Sequence, residues 1–105
     1  MKMISLGNEE YEKTVTSQFI ELIPEHLHVL TSNFDEGAYE VVRKEMHRMI
    51  STLYIMGLNI SLKKEIDAIV NHNLNRNDFE TYLNIVISTC LQAKLEAEEL
   101  YLTFS

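Results

Sequence analysis

Between Val42 and Met56 the apolar residues Val42, Met46, Met49, Leu53 and Met56 recur in alternating steps of four and three. An α-helix turns once every 3.6 residues, so this spacing draws one narrow apolar stripe along one helix. A half-buried strand would instead alternate every second residue. A helix with a single apolar stripe must lay it against other helices. The chain holds one Pro and three Gly, too few for the closely spaced turns of an all-β fold. The fold class expected is all-α.

Turn signals at Ile23-Pro24, Thr31-Ser32-Asn33 with Gly37, Gly57-Leu58-Asn59, and Asn71 through Asn77 separate four helical patterns. The first runs from about Asn8 to Leu30, with Val15, Phe19, Leu22, Ile23, Leu27 and Leu30 at helical spacing. Pro24 lacks a backbone donor and biases Ile23 away from α geometry, so this stretch is expected to kink or split there. The second pattern runs from about Asp35 to Met56. The third starts near Ile60 or Ser61 and presents Leu62, Ile66, Ile69 and Val70. The fourth opens at Asn77, with Glu80 three residues on as in a capping box. It continues through Phe79, Tyr82, Leu83, Val86, Cys90, Ala93, Ala97 and Leu100. Short connections turn neighbouring helices antiparallel. The expected architecture is an antiparallel up-down-up-down four-helix bundle, one domain over residues 1–105, with residues 1–7 as a flexible N-terminus.

The charge narrows the function classes. Sixteen Asp and Glu against nine Lys and Arg leave a net charge of −7. Nucleic-acid binding needs clustered basic residues to meet phosphates, so it is not expected. Docking on anionic lipid is disfavoured for the same reason. No apolar run approaches the roughly 20 residues of a membrane span, and the start of the chain lacks the apolar core of a secretory signal. Cys90 is the one cysteine, so no intramolecular disulfide forms and a reducing compartment suits the chain. A cytoplasmic protein is expected.

The chemically informative residue is His47. At ~100° per residue it lies roughly 130° from the stripe on its own helix, so its imidazole points outward. Glu40, Arg43, Lys44, Ser51 and Tyr54 fall within roughly 60° of it, with Ile50 at the margin. A free imidazole titrates at ~6.5, so a neutral, nucleophilic ring is well populated near neutral pH. Such a nitrogen can attack phosphorus and carry a phosphoryl group. Arg43 and Lys44 could then support the anion, and Ser51 is small enough to leave the ring uncovered. Ile50 and Tyr54 offer a partner apolar surface. No P-loop, Gly-rich nucleotide loop or His-Arg-Asp motif is present, so any phosphate must come from another protein and go to another.

The other candidates are expected to be structural. His26 and His28 are two apart, cannot chelate one metal from a helix face, and are read as surface residues. His72 suits a helix C-terminus. Glu96, Glu98 and Glu99, an acidic run near the end of the last helix, read as a solvated face. Met46, Met49 and Met56 fill the core, and Cys90 is a small buried hydrophobe. No metal site is expected.

The segment His47-Arg48-Met49-Ile50-Ser51-Thr52-Leu53-Tyr54-Ile55-Met56-Gly57 resembles the signature of histidine-containing phosphotransfer (HPt) domains. Met49 stands at that signature's apolar position, Thr52 at a small one and Gly57 at its closing glycine. Phe19-Ile20-Glu21-Leu22-Ile23-Pro24-Glu25-His26-Leu27 is similar to the family's acidic-apolar helix that breaks at a Pro. The resemblance spans nearly the whole chain. It departs at Ile50, where the family has Lys, and at Ser51, where it has Gly.

The resemblance implies a phosphorelay protein of two-component signal transduction. His47 would accept phosphate from a receiver-domain aspartate and pass it to another receiver, forming a phosphohistidine intermediate. Its partners would be receiver domains of response regulators or hybrid histidine kinases. Magnesium would sit on the partner receiver, with no cofactor bound by this chain, which would be monomeric. Ile50 in place of Lys keeps open a degenerate HPt-like module that binds a receiver or kinase without carrying phosphate. An unrelated oligomerisation bundle is the third reading, and it would leave a broad apolar face uncovered.

Overall fold

A computed structural model describes residues 9–104; the expected flexible segment 1–7 and the expected helix start at Asn8 lie outside the described residues. Helices joined by short turns make up those residues, with no strand among them. Six α-helices follow in order: α1 (Glu9–Asp35), α2 (Tyr39–Arg48), α3 (Ile50–Ile55), α4 (Leu58–Ser61), α5 (Lys63–Asn71) and α6 (Arg76–Thr103). The longest dimension is 46 Å, close to the ~42 Å that a 28-residue helix such as α6 spans at 1.5 Å per residue.

Pro24 does not split the first helix. α1 runs for 27 residues with Pro24 inside it. Its buried positions, Thr16, Phe19 and Ile23 before the proline and Leu27, Leu30 and Phe34 after it, share one face. The proline itself is exposed. Losing one backbone bond on the solvent side costs less than uncovering that face, so packing overrides the local bias. Leu22 and Leu100, expected in apolar stripes, are 36% and 40% exposed.

α1 ends in a Schellman motif. Ala38 N–H donates to Asn33 O at 2.8 Å and Gly37 N–H to Phe34 O at 3.0 Å, with Gly37 at φ 76°. This turns the chain sharply into α2. α2 and α3 are separated by Met49 alone, and i→i−4 bonds run across it, from Met49 N to Glu45 O and from Leu53 N to Met49 O, each at 2.9 Å. Val42, Met46, Met49 and Leu53 are all fully buried; Met56 is partly buried against the same core. Gly57, at φ 73°, reverses the chain into α4. Leu62 joins α4 to α5 in the same way, accepting from Ile66 N and donating to Leu58 O at 2.8 Å.

α6 begins two residues earlier than the expected capping box. Asn75, not Asn77, is the cap, and its side chain accepts from Asp78 N at 2.8 Å. Phe34, Tyr39 and Phe79 form an aromatic cluster with centroids 5.2 to 5.8 Å apart, tying the end of α1 and the start of α2 to α6. α1 also packs along α6, α2 and α3, while α5 packs on α2 and α6. No helix among the described residues is long and apolar enough to cross a membrane.

Candidate functional site

His47 leaves the penultimate residue of α2 and is exposed. Its outward direction follows from the stripe: Met46 and Met49 on either side are fully buried, which turns the residue between them away. Among the described residues the ring has no hydrogen-bond or ion-pair partner. It stands where two grooves meet.

One groove, of about 550 Å³, runs from α2 across to α4 and α5. His47 and Ile50 form one wall, and Asn59, Ile60 and Lys63 face them. Ile66, Asp67, Val70 and Asn71 complete it. The other, of about 470 Å³, follows α2 back along Glu40, Arg43 and Lys44. The imidazole is thus open on both sides, with a cation-bearing surface next to each.

The two cations expected beside His47 differ in what they are free to do. Arg43 is tied down: Nε donates to Ile69 O at 3.1 Å, NH1 donates to Glu40 Oε1 at 2.7 Å, and the guanidinium lies 5.7 Å from the Phe79 ring centre. Its side chain is only 22% exposed. It clamps α2 to α5. Lys44 is exposed and has no ion-pair partner among the described residues, so its ammonium is available to a ligand. Ser51 is exposed one turn beyond His47, and Tyr54 is 66% exposed. Ile50 is partly buried and packs against the core while lining the first groove.

Sequence reasoning did not find the far wall of that groove. Lys63 and Ile60 are remote from His47 along the chain, and only tertiary packing brings them to it. Ile60 is 74% exposed and adds apolar surface beside the ring. Asn59 Oδ1 is buried without a hydrogen-bond partner among the described residues. Asp67 accepts from Asn71 Nδ2 at 2.8 Å and pairs with His72 Nε2 at 3.2 Å. The Asn71 bond, then the His72 bond, hold its carboxyl below the ordinary 3.8, with a smaller contribution from the charge on Lys63.

His26 is not a surface residue. Its Nδ1 is paired with Glu45 Oε2 and its Nε2 with Thr52 Oγ1 at 3.1 Å. Glu45 and Thr52 are buried, and the His26 side chain is 14% exposed. A carboxylate only accepts, so Nδ1 carries the donor proton, and Nε2 of a neutral ring accepts from the Thr52 hydroxyl. Arg48 NH1 reaches the other Glu45 oxygen at 3.3 Å. The hydroxyl–imidazole–carboxylate order has the look of a nucleophile set, yet Thr52 is only 5% exposed. No substrate reaches it, and the cluster braces α1 against α2 and α3.

Cys90 is buried, and that burial pushes its thiol up to about 12, which leaves it unreactive. Among the described residues no group of three His, Cys, Asp or Glu could hold a metal ion. In comparisons with known proteins, no family model, no curated protein and no solved structure matches the chain.

Proposed function

We propose that this protein is a histidine phosphotransfer domain of a two-component phosphorelay, with His47 as the phosphate-bearing residue. The supporting observation is an exposed, unpartnered imidazole flanked by two grooves, on a helix whose inner face is fully buried. In the reaction, the unprotonated ring nitrogen attacks the phosphorus of a receiver's aspartyl phosphate. A nitrogen–phosphorus bond forms, the acyl oxygen–phosphorus bond breaks, and the aspartate leaves as carboxylate with the electron pair. A second receiver's aspartate reverses these steps. Magnesium belongs to the receiver's carboxylates. Ser51, Ile50 and Tyr54 form the docking surface, and Lys44 supports the incoming charge.

The bundle architecture belongs to this reading. On it, α2 with α3, and α4 with α5, count as single rods, which the hydrogen bonds running through Met49 and Leu62 support. With α1 and α6 they give four rods in up-down-up-down order, a monomer working in the cytoplasm.

Incubation with a phosphorylated receiver domain and magnesium should place acid-labile, base-stable label on the wild type and none on His47→Gln. Label that survives in the variant, or that no receiver ever delivers, overturns the carrier assignment. One observation favours a second reading. Ile50, partly buried and apolar, brings no charge to the groove, as in a module that binds receivers without carrying phosphate. That reading predicts receiver binding by both wild type and His47→Gln, with label on neither.

A further inference from the structure

We infer that Lys63 is the cation that holds the phosphoryl group on His47 during transfer, an inference that rests on the phosphocarrier reading and assigns the charge to a residue of another helix. Three observations carry it. Lys63 lines the same groove as His47 and Ile50, on the opposite wall. It is exposed and forms no ion pair among the described residues, although its charge is felt by Asp67. Asp67, the nearest candidate one turn on, is already engaged by Asn71 and His72.

The electrostatics of the groove require such a residue. A phosphoryl group carries close to two negative charges near neutral pH, and Asp67 lines the same space. Without a cation there, an anion entering from this side meets only repulsion. Arg43 is fixed on Ile69 O and Glu40, and neither it nor Lys44 lines this groove. Lys63 is therefore the available charge on the α4–α5 side. Its flexible four-carbon stem lets the ammonium follow the phosphoryl group as it moves onto the ring.

The test uses the full chain and potassium phosphoramidate, a small donor that needs no partner protein. The ring nitrogen attacks phosphorus, the nitrogen–phosphorus bond of the donor breaks, and its nitrogen departs as protonated ammonia. Adduct on His47 is followed by intact-protein mass, with His47→Gln defining the site. Lys63→Ala should slow labelling roughly tenfold, the order expected for one charge-assisted contact partly screened by water. Lys63→Arg should keep most of the rate. Adding Ile50→Lys to Lys63→Ala, which returns an ammonium to the groove from the other wall, should restore it. Lys64→Ala, which removes an exposed lysine that lines neither groove, should change it less than about twofold. Equal labelling of wild type and Lys63→Ala overturns the assignment of Lys63. Absence of any adduct on wild-type His47 overturns both this inference and the carrier reading. Lys63-dependent labelling by phosphoramidate together with no transfer from any receiver supports the charge assignment and sinks the phosphorelay.

Discussion

Two imidazoles stand on opposite sides of the helical segment from Tyr39 to Ile55, and their surroundings assign them opposite tasks. His26 meets that segment from α1 with both ring nitrogens occupied, between Glu45 and Thr52, in a nearly closed environment. His47 grows out of the segment itself and touches no polar partner among the described residues, with a groove on each side. The chemistry of the side chain is the same in both. Accessibility and the state of the two nitrogens decide that one holds helices together and the other is free to react.

The largest expected effect breaks the braced side. Replacing His26 by Ala leaves the buried Glu45 carboxylate with only Arg48, whose own side chain is 75% exposed. Leaving a buried carboxylate without its hydrogen-bond donor costs about 3 kcal/mol, so the urea midpoint should fall sharply. His47→Ala at its exposed position should stay within about 0.5 kcal/mol of wild type. If the two variants unfold at the same urea concentration, the His26 cluster is not a brace.

A smaller effect extends the comparison to the cations. Arg43 belongs with the braced set, since its guanidinium crosses from α2 to the Ile69 carbonyl of α5. Arg43→Ala should lose about 1.5 kcal/mol, the scale of a hydrogen bond to a charged group in a partly buried place. Lys44→Ala should lose almost nothing in the same unfolding experiment. Equal losses would mean that the Ile69 contact contributes no more than a solvated lysine.

The division between the two sides was only half legible in the residue order. Periodicity alone placed Val42, Met46, Met49 and Leu53 inside and His47 outside, because both depend on one helix and its 100° step. The spacing of His26 from His28 says nothing of its burial, whereas its place beside the buried stripe of α1 does. It sits between Ile23 and Leu27, and Glu45 and Thr52 each adjoin a buried residue of the stripe facing it. Polar residues at the rim of two facing stripes are a usable signal that they pair. That α1 continues through Pro24 depends on the buried face on either side of it, which local backbone bias does not express. Asparagines at 71, 73, 75 and 77 are equally eligible caps by type, and only the backbone path chooses Asn75. Lys63 was out of reach for a different reason: no helical-wheel argument relates residues on separate helices.

The smallest expected effect lies at the open side, where charges are solvated. Asp67 borders the His47 groove, and its carboxyl is held below 3.8 by Asn71 first and His72 second. The folded value is therefore the lower one. The stability it contributes is complete above 3.8 and is lost as the pH falls through the folded value. Asp67→Asn should lower stability slightly near neutrality and leave it unchanged at the acid end, so that the profile between the two is flatter. Because the group is fully exposed, added salt should shrink even that difference. Urea midpoints for both proteins at pH 7 and pH 3, at low and high salt, check this. A loss between pH 7 and pH 3 that is the same in wild type and Asp67→Asn would mean that the Asp67 contacts with Asn71 and His72 contribute nothing measurable to acid sensitivity.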